Sequence, residues 1–135
     1  MLRFVAEFEK GSDVVGTLTI GQTASRIEVE SAYLDSWLAA LLECLVAVSE
    51  GVMHYEVEVI EESALLIADT AGGEVLLRFG EQMIRLGSVA LAIATITSDV
   101  RELLHRHRLG NDTLVREIKT KLAALTTPMS LDRKL

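Results

Sequence analysis

Seven glutamates are the side chains best placed to do chemistry. Glu7, Glu9, Glu28, Glu30, Glu56, Glu58 and Glu74 all fall in stretches where apolar and polar residues alternate. Alternation is the period of a β-strand, so the spacing predicts that they point outward from a sheet. Paired carboxylates can act as acid and base, but only in a pocket that drives their pKa values apart. An open strand face supplies no such pocket, so no catalytic residue is assigned. What remains is charge. Glu28, Glu30, Glu56 and Glu58, with Glu7, form a candidate docking surface for a Lys/Arg-rich protein. A solubilising surface is the alternative.

The other reactive side chains point to less. His105-Arg106-His107-Arg108 closes a helical stretch, where cations complement the negative helix end. His105 and His107 are two apart and diverge, whereas a two-histidine metal site on a helix needs spacing of three or four. No metal site is expected, and Arg106 and Arg108 are left as a possible anion contact. His54 opens a strand beside Glu56 and is expected at the surface. Cys44, the single cysteine, lies in the apolar run LLECLVAV and reads as a buried thiol. Gly72-Gly73 separates two strands, so it is a hairpin turn and not a phosphate loop. HExxH, GxSxG, CxxC and GxGxxG do not occur. An enzyme would need scattered residues, and no cofactor is implied.

The elements that carry these residues are legible from periodicity. Leu2 to Glu9, Val14 to Ile20 and Ser25 to Glu30 alternate and are joined by the turns Lys10–Asp13 and Gly21–Thr23. Short turns between consecutive strands imply an antiparallel meander. A helix follows over 32–49, its stripe running through Leu34, Trp37, Leu38, Leu41, Leu42, Leu45 and Val48. Ser31 suits its N-cap and Gly51 the position after its C-cap. Strands then recur at Tyr55–Val59, Ala64–Asp69 and Glu74–Phe79, the middle one apolar on both faces through Leu65, Leu66 and Ile67. The spacing of Val89, Ile93, Ile96, Val100 and Leu103 predicts one long helix over 82–108. Its far side carries Ala90, Leu91, Ala92 and Ala94 and no charge, as in a helix buried on most sides. Gly110 suits its end, Asp112 the N-cap of a final helix through Leu114, Ile118, Leu122 and Leu125, and 126–135 a flexible tail.

The reading is therefore an α+β domain over 1–125. Two β-β-β-α units, 1–51 and 52–110, form antiparallel sheet packed on helices, and a C-terminal helix completes it. The offset of about 50 residues raises an internal duplication as one explanation. The apolar excess of the long helix suggests a homodimer through Leu86, Val89, Leu91 and Ile93.

Charge bounds the partners. Residues 1–75 carry 14 acidic and 3 basic side chains, and residues 76–135 carry 6 and 10, giving the overall −7. An acidic first half disfavours nucleic acid and favours a basic partner. The first residues, MLRFVAEFEK, are unlike a signal peptide, and no apolar run reaches the roughly 18 residues that span a bilayer. A cytoplasmic protein without a membrane partner is expected.

The passage RIEVESAYLDSWLAALLECLVAVSEG, Arg26 to Gly51, takes a short acidic strand into an aromatic-containing amphipathic helix that ends at glycine. In this, and in its size and acidity, the chain resembles the small bacterial immunity proteins of contact-dependent growth inhibition. The resemblance implies a non-enzymatic protein whose acidic surface neutralises a basic, often nuclease, toxin by stoichiometric binding. It covers about one fifth of the chain and transfers no binding residue. Acidic dimeric secretion chaperones are similar in composition but usually begin with a helix. A small enzyme or ligand-binding dimer is the third class.

Overall fold

The computed structural model describes residues 2–21, 25–110 and 112–126. Three strands open the chain: β1 (Arg3–Phe8), β2 (Gly16–Gly21) and β3 (Arg26–Ser31), in an antiparallel meander of order β1-β2-β3. Phe4 pairs with Ile20, and Ile20 with Ile27, so one register row carries buried apolar side chains across all three strands. The helix α1 (Leu34–Ser49) follows. Then come β4 (His54–Val59), β5 (Ala64–Ala71), β6 (Glu74–Phe79) and β7 (Gln82–Ser88), in a second meander of order β4-β5-β6-β7. The helices α2 (Val89–Arg106) and α3 (Asp112–Thr126) complete an α+β fold. Of the expected features, part of the Gly21–Thr23 turn and the tail beyond Thr126 lie outside the described residues.

The element at the centre is α1. Thirteen of its sixteen residues are buried, with Leu38, Leu41, Leu42 and Leu45 at 1% exposure or less. It packs on β4, on β5 and on α3, whose Ile118 and Leu122 are buried. Truncating any one of those leucines to alanine should cost about 2–5 kcal/mol. Trp37 belongs to this core. Its ring meets Phe79 edge to face at 4.8 Å, and its Nε1 donates to Glu62 Oε1 at 3.0 Å. Ser31 is not the N-cap of α1: the cap position is Tyr33, with no side-chain cap bond, and Ser31 Oγ accepts from the Tyr33 N–H instead. Gly51 does follow the C-cap, at φ +94°.

Residues 82–108 do not form one helix. Gly80 (φ +61°) and Glu81 make a two-residue hairpin loop, and Phe79 pairs with Gln82 across it. Gln82–Ser88 then runs back as β7, with Ile84 and Leu86 buried and Met83 and Arg85 outward. The helix begins only at Val89, where Gly87 (φ +92°) ends the strand and the Ser88 hydroxyl accepts from the Leu91 N–H at 3.1 Å. The second unit therefore holds four strands, not three. The expected apolar stripe of α2 survives: Ile96, Val100 and Leu103 are buried against β1 and β7. Its far side is covered only at Ala92, which is buried, while Ala90, Leu91 and Ala94 are exposed. Gly110 does not cap α2, whose C-cap is His107, and Asp112 is the first residue of α3.

The two sheets meet where β3 lies beside β7. The Glu28 N–H, on the open side of β3, donates to Gln82 Oε1 at 2.8 Å. The Phe4 N–H donates to Asp99 Oδ2 at 3.0 Å and ties β1 to α2.

Candidate docking face on the four-stranded sheet

The outward residues of β4–β7 are fixed by alternation and register. Glu56 pairs with Ile67, Ile67 with Arg78, and Arg78 with Met83, making one row across all four strands. His54, Asp69, Leu76 and Arg85 make the adjacent row, and Glu58 stands opposite Leu65. Leu65 is 48% exposed and Met83 54%, while Ile67 and Leu76 are half-buried. An apolar band thus crosses the outer face of the sheet. The acidic pair Glu56 and Glu58 borders these residues on β4, Arg78 stands among them between Ile67 and Met83, and Arg85 lies beside Leu76 on β7.

The charged groups of this face are cross-linked. His54 hydrogen-bonds the Asp69 carboxylate through Nδ1 and Glu56 Oε2, at 2.9 Å, through Nε2. Arg78 Nη2 lies 3.3 Å from Asp69 Oδ2, and Arg85 Nη1 lies 3.3 Å from Glu74 Oε1. The hydrogen bond to Asp69, then that to Glu56, raises the His54 pKa above its ordinary 6.5. The same bond to His54 holds Asp69 below the usual carboxylate range.

The three-stranded sheet presents a different outer face. Glu7, Thr17 and Glu30 share one row, and Val5, Thr19 and Glu28 the next. Threonine separates the carboxylates, so no two of the expected acidic residues stand directly opposite one another. Arg26 Nε lies 3.7 Å from Glu28 Oε1. The sequence places Glu7, Glu28, Glu30, Glu56 and Glu58 on one acidic face; the structure divides them. Glu7, Glu28 and Glu30 stand on the first sheet, and Glu56 and Glu58 on the far edge strand of the second.

The remaining candidate residues are dispersed. Of the four residues expected at a dimer interface, Leu86 is 1% exposed inside β7, so it cannot meet a second copy. Val89 and Ile93 are half-buried, and Leu91 is 55% exposed. Cys44 is buried, and burial first, then Glu43, pushes its thiol up to about 12, which keeps it un-ionised and unreactive. The Tyr55 hydroxyl donates to Glu43, and that bond pushes Tyr55 up to about 12. Burial raises the Asp35 carboxyl above its ordinary value, against the opposing pull of the Ser36 N–H. Among the described residues, no three His, Cys, Asp or Glu side chains gather as a metal ion would need. No helix among them is long and apolar enough to cross a membrane. The apolar band was missed as a surface although its signal was visible: the middle strand of the second meander is apolar on both faces. Compared with known proteins, the chain finds no match among family models, curated proteins or solved structures.

Proposed function

We propose that the protein acts by stoichiometric binding of a basic protein partner on the outer face of the four-stranded sheet. One observation carries this reading. Leu65 and Met83 are exposed and Ile67 and Leu76 half-buried on a face that Arg78 enters and that Glu56 and Glu58 border on β4. Apolar side chains exposed next to charged ones are the mixture found at protein interfaces. The carboxylates attract a cationic surface and set the rate of encounter; the apolar band supplies the affinity.

The size of the face limits the partner. Four strands about 14 Å across and about 20 Å long give a face of roughly 300 Å², small beside the roughly 800 Å² that each side of a stable interface buries. The partner must therefore reach past the sheet, and Ile60 in the β4–β5 turn, at 62% exposure, is the apolar residue it meets next to Glu58. A nuclease-type toxin is the partner that the likeness at residues 26–51 implies.

The test is titration calorimetry against any cationic secreted toxin encoded beside this chain. A one-to-one complex weakened by E56K/E58K supports the proposal. No complex, or one indifferent to those substitutions, removes it. A gene neighbourhood without a secreted toxin removes the toxin and leaves the docking face to be tested with other basic partners.

A further inference from the structure

A second surface has the opposite charge. The last turn of α2, the segment after it and α3 enclose an open cleft of about 490 Å³, into which His105, Arg106, Arg108 and Lys119 converge. A smaller cleft of about 400 Å³ adjoins it along the same two helices, shares Leu104, His105 and Lys119 with it, and continues over Leu122 and Ala123. The far end is tied shut where Arg101 Nη2 donates to Thr126 Oγ1 at 2.6 Å. In a chain of net charge −7, five cationic or imidazole side chains lining one cleft need an explanation.

Complementing the end of α2 accounts for part of it, since His105 and Arg106 lie in its last turn and Arg106 Nε also pairs with Glu102 at 3.7 Å. That effect fades beyond the helix end and does not call for Arg108, which lies past it, or for Lys119, which belongs to α3. Asp112 is the one acid on the cleft. The wall is also held in place. The His107 ring stacks on Phe8 with centroids 3.7 Å apart and planes 10° from parallel. Its Nε2 is buried with no hydrogen-bond partner among the described residues.

We propose that the joined clefts bind a small amphiphilic anion. Its oxyanion head sits among His105, Arg108 and Lys119, and its apolar body lies along Leu104 and Leu122. Cations fix the head by charge-assisted hydrogen bonds, and the apolar floor separates such a ligand from a bare inorganic ion. The site is on the helices, not on the sheet face, and stands whether or not the docking proposal does.

Phenyl phosphate and benzoate are the probes, each compared with its head alone, inorganic phosphate or acetate. Binding is followed by NMR at the Leu104 and Leu122 methyls and the His105 ring. The expected result is saturable binding of phenyl phosphate or benzoate, about tenfold tighter than its head alone, and whichever binds names the head. R108Q/K119Q should weaken it at least about tenfold, while R116Q, which removes a like charge from the exposed part of α3, should not. All three side chains are exposed, so the fold is retained. Absence of saturable shifts with either probe would overturn the proposal. So would equal binding to R108Q/K119Q, equal loss in R116Q, or heads that bind as tightly as the aryl anions.

Discussion

The outer faces of the two sheets carry similar numbers of outward carboxylates and opposite kinds of neighbour. On the three-stranded sheet Glu7, Glu28 and Glu30 stand among Thr17 and Thr19. On the four-stranded sheet Glu56 and Glu58 stand against Ile67 and Leu65. A carboxylate among hydroxyls is one polar group among others, and water satisfies it. Under the docking proposal, a carboxylate beside apolar side chains has a surface to guide a partner onto. Charge alone does not distinguish the two faces; the residue across the strand does.

The comparison breaks most clearly through the apolar band. Leu65→Ala with Met83→Ala should weaken binding of the basic partner about 100-fold, equivalent to about 2.7 kcal/mol. Both side chains are about half exposed, so thermal stability should change little. Calorimetry and a melting curve on the same variant separate the two effects, and a complex of unchanged affinity would place the interface elsewhere. The carboxylates come next. E56K/E58K should weaken binding about tenfold or more, mostly through a slower, salt-sensitive association, whereas E28K/E30K should stay within about threefold of the parent. Stopped-flow association at low and high salt reads the difference. Equal losses from both pairs would reduce the two faces to a single diffuse field.

A smaller effect lies at the seam between the sheets. Gln82 Oε1 accepts the Glu28 N–H, and β3 and β7 lie side by side at this point without pairing as one sheet. Gln82→Ala removes that acceptor at an exposed position and should lower stability by about 0.5–1 kcal/mol in denaturant melts. A loss of several kcal/mol would mean that the two sheets fold as one cooperative surface, and the contrast between their outer faces would lose its structural basis.

Most of the fold was legible because its signals are local. Six strands and the first helix follow from alternation, helical spacing and glycine-bearing turns, and β6 falls on Glu74–Phe79 as the pattern requires. The failure at Gln82 has a physical cause. QMIRLGS alternates for only seven residues and runs without a charge break into VALAIATI, so a stripe with a period of 3.6 can be extended backward through it. Gly80 and Gly87, both at positive φ, were the punctuation that marked the strand. The docking face was half legible. Glu56, Glu58, Leu65 and Ile67 were each placed outward or on a doubly apolar strand. Their meeting in one plane with Met83 and Leu76 depends on β7, the strand that was missed. The α2–α3 cleft depends on how two helices pack, and periodicity along the chain does not contain that.

The smallest predicted effect separates the faces by pH. The four-stranded face carries a titrating histidine, and the three-stranded face carries none. The His54 pKa is raised above its ordinary 6.5, so the folded protein binds the proton more tightly than the unfolded chain does. The resulting stabilisation is fully present below 6.5 and is lost as pH rises through the higher folded value. His54 is exposed, so solvent screens the pair and the change in melting temperature should be slight. The check is the difference between the parent and His54→Gln: near neutral and slightly acidic pH the parent should hold a small advantage, which shrinks under mildly alkaline conditions. High salt should shrink it at every pH. An advantage that grows with pH would reverse the sign and show that His54 is held neutral, with Asp69 satisfied by Arg78 alone.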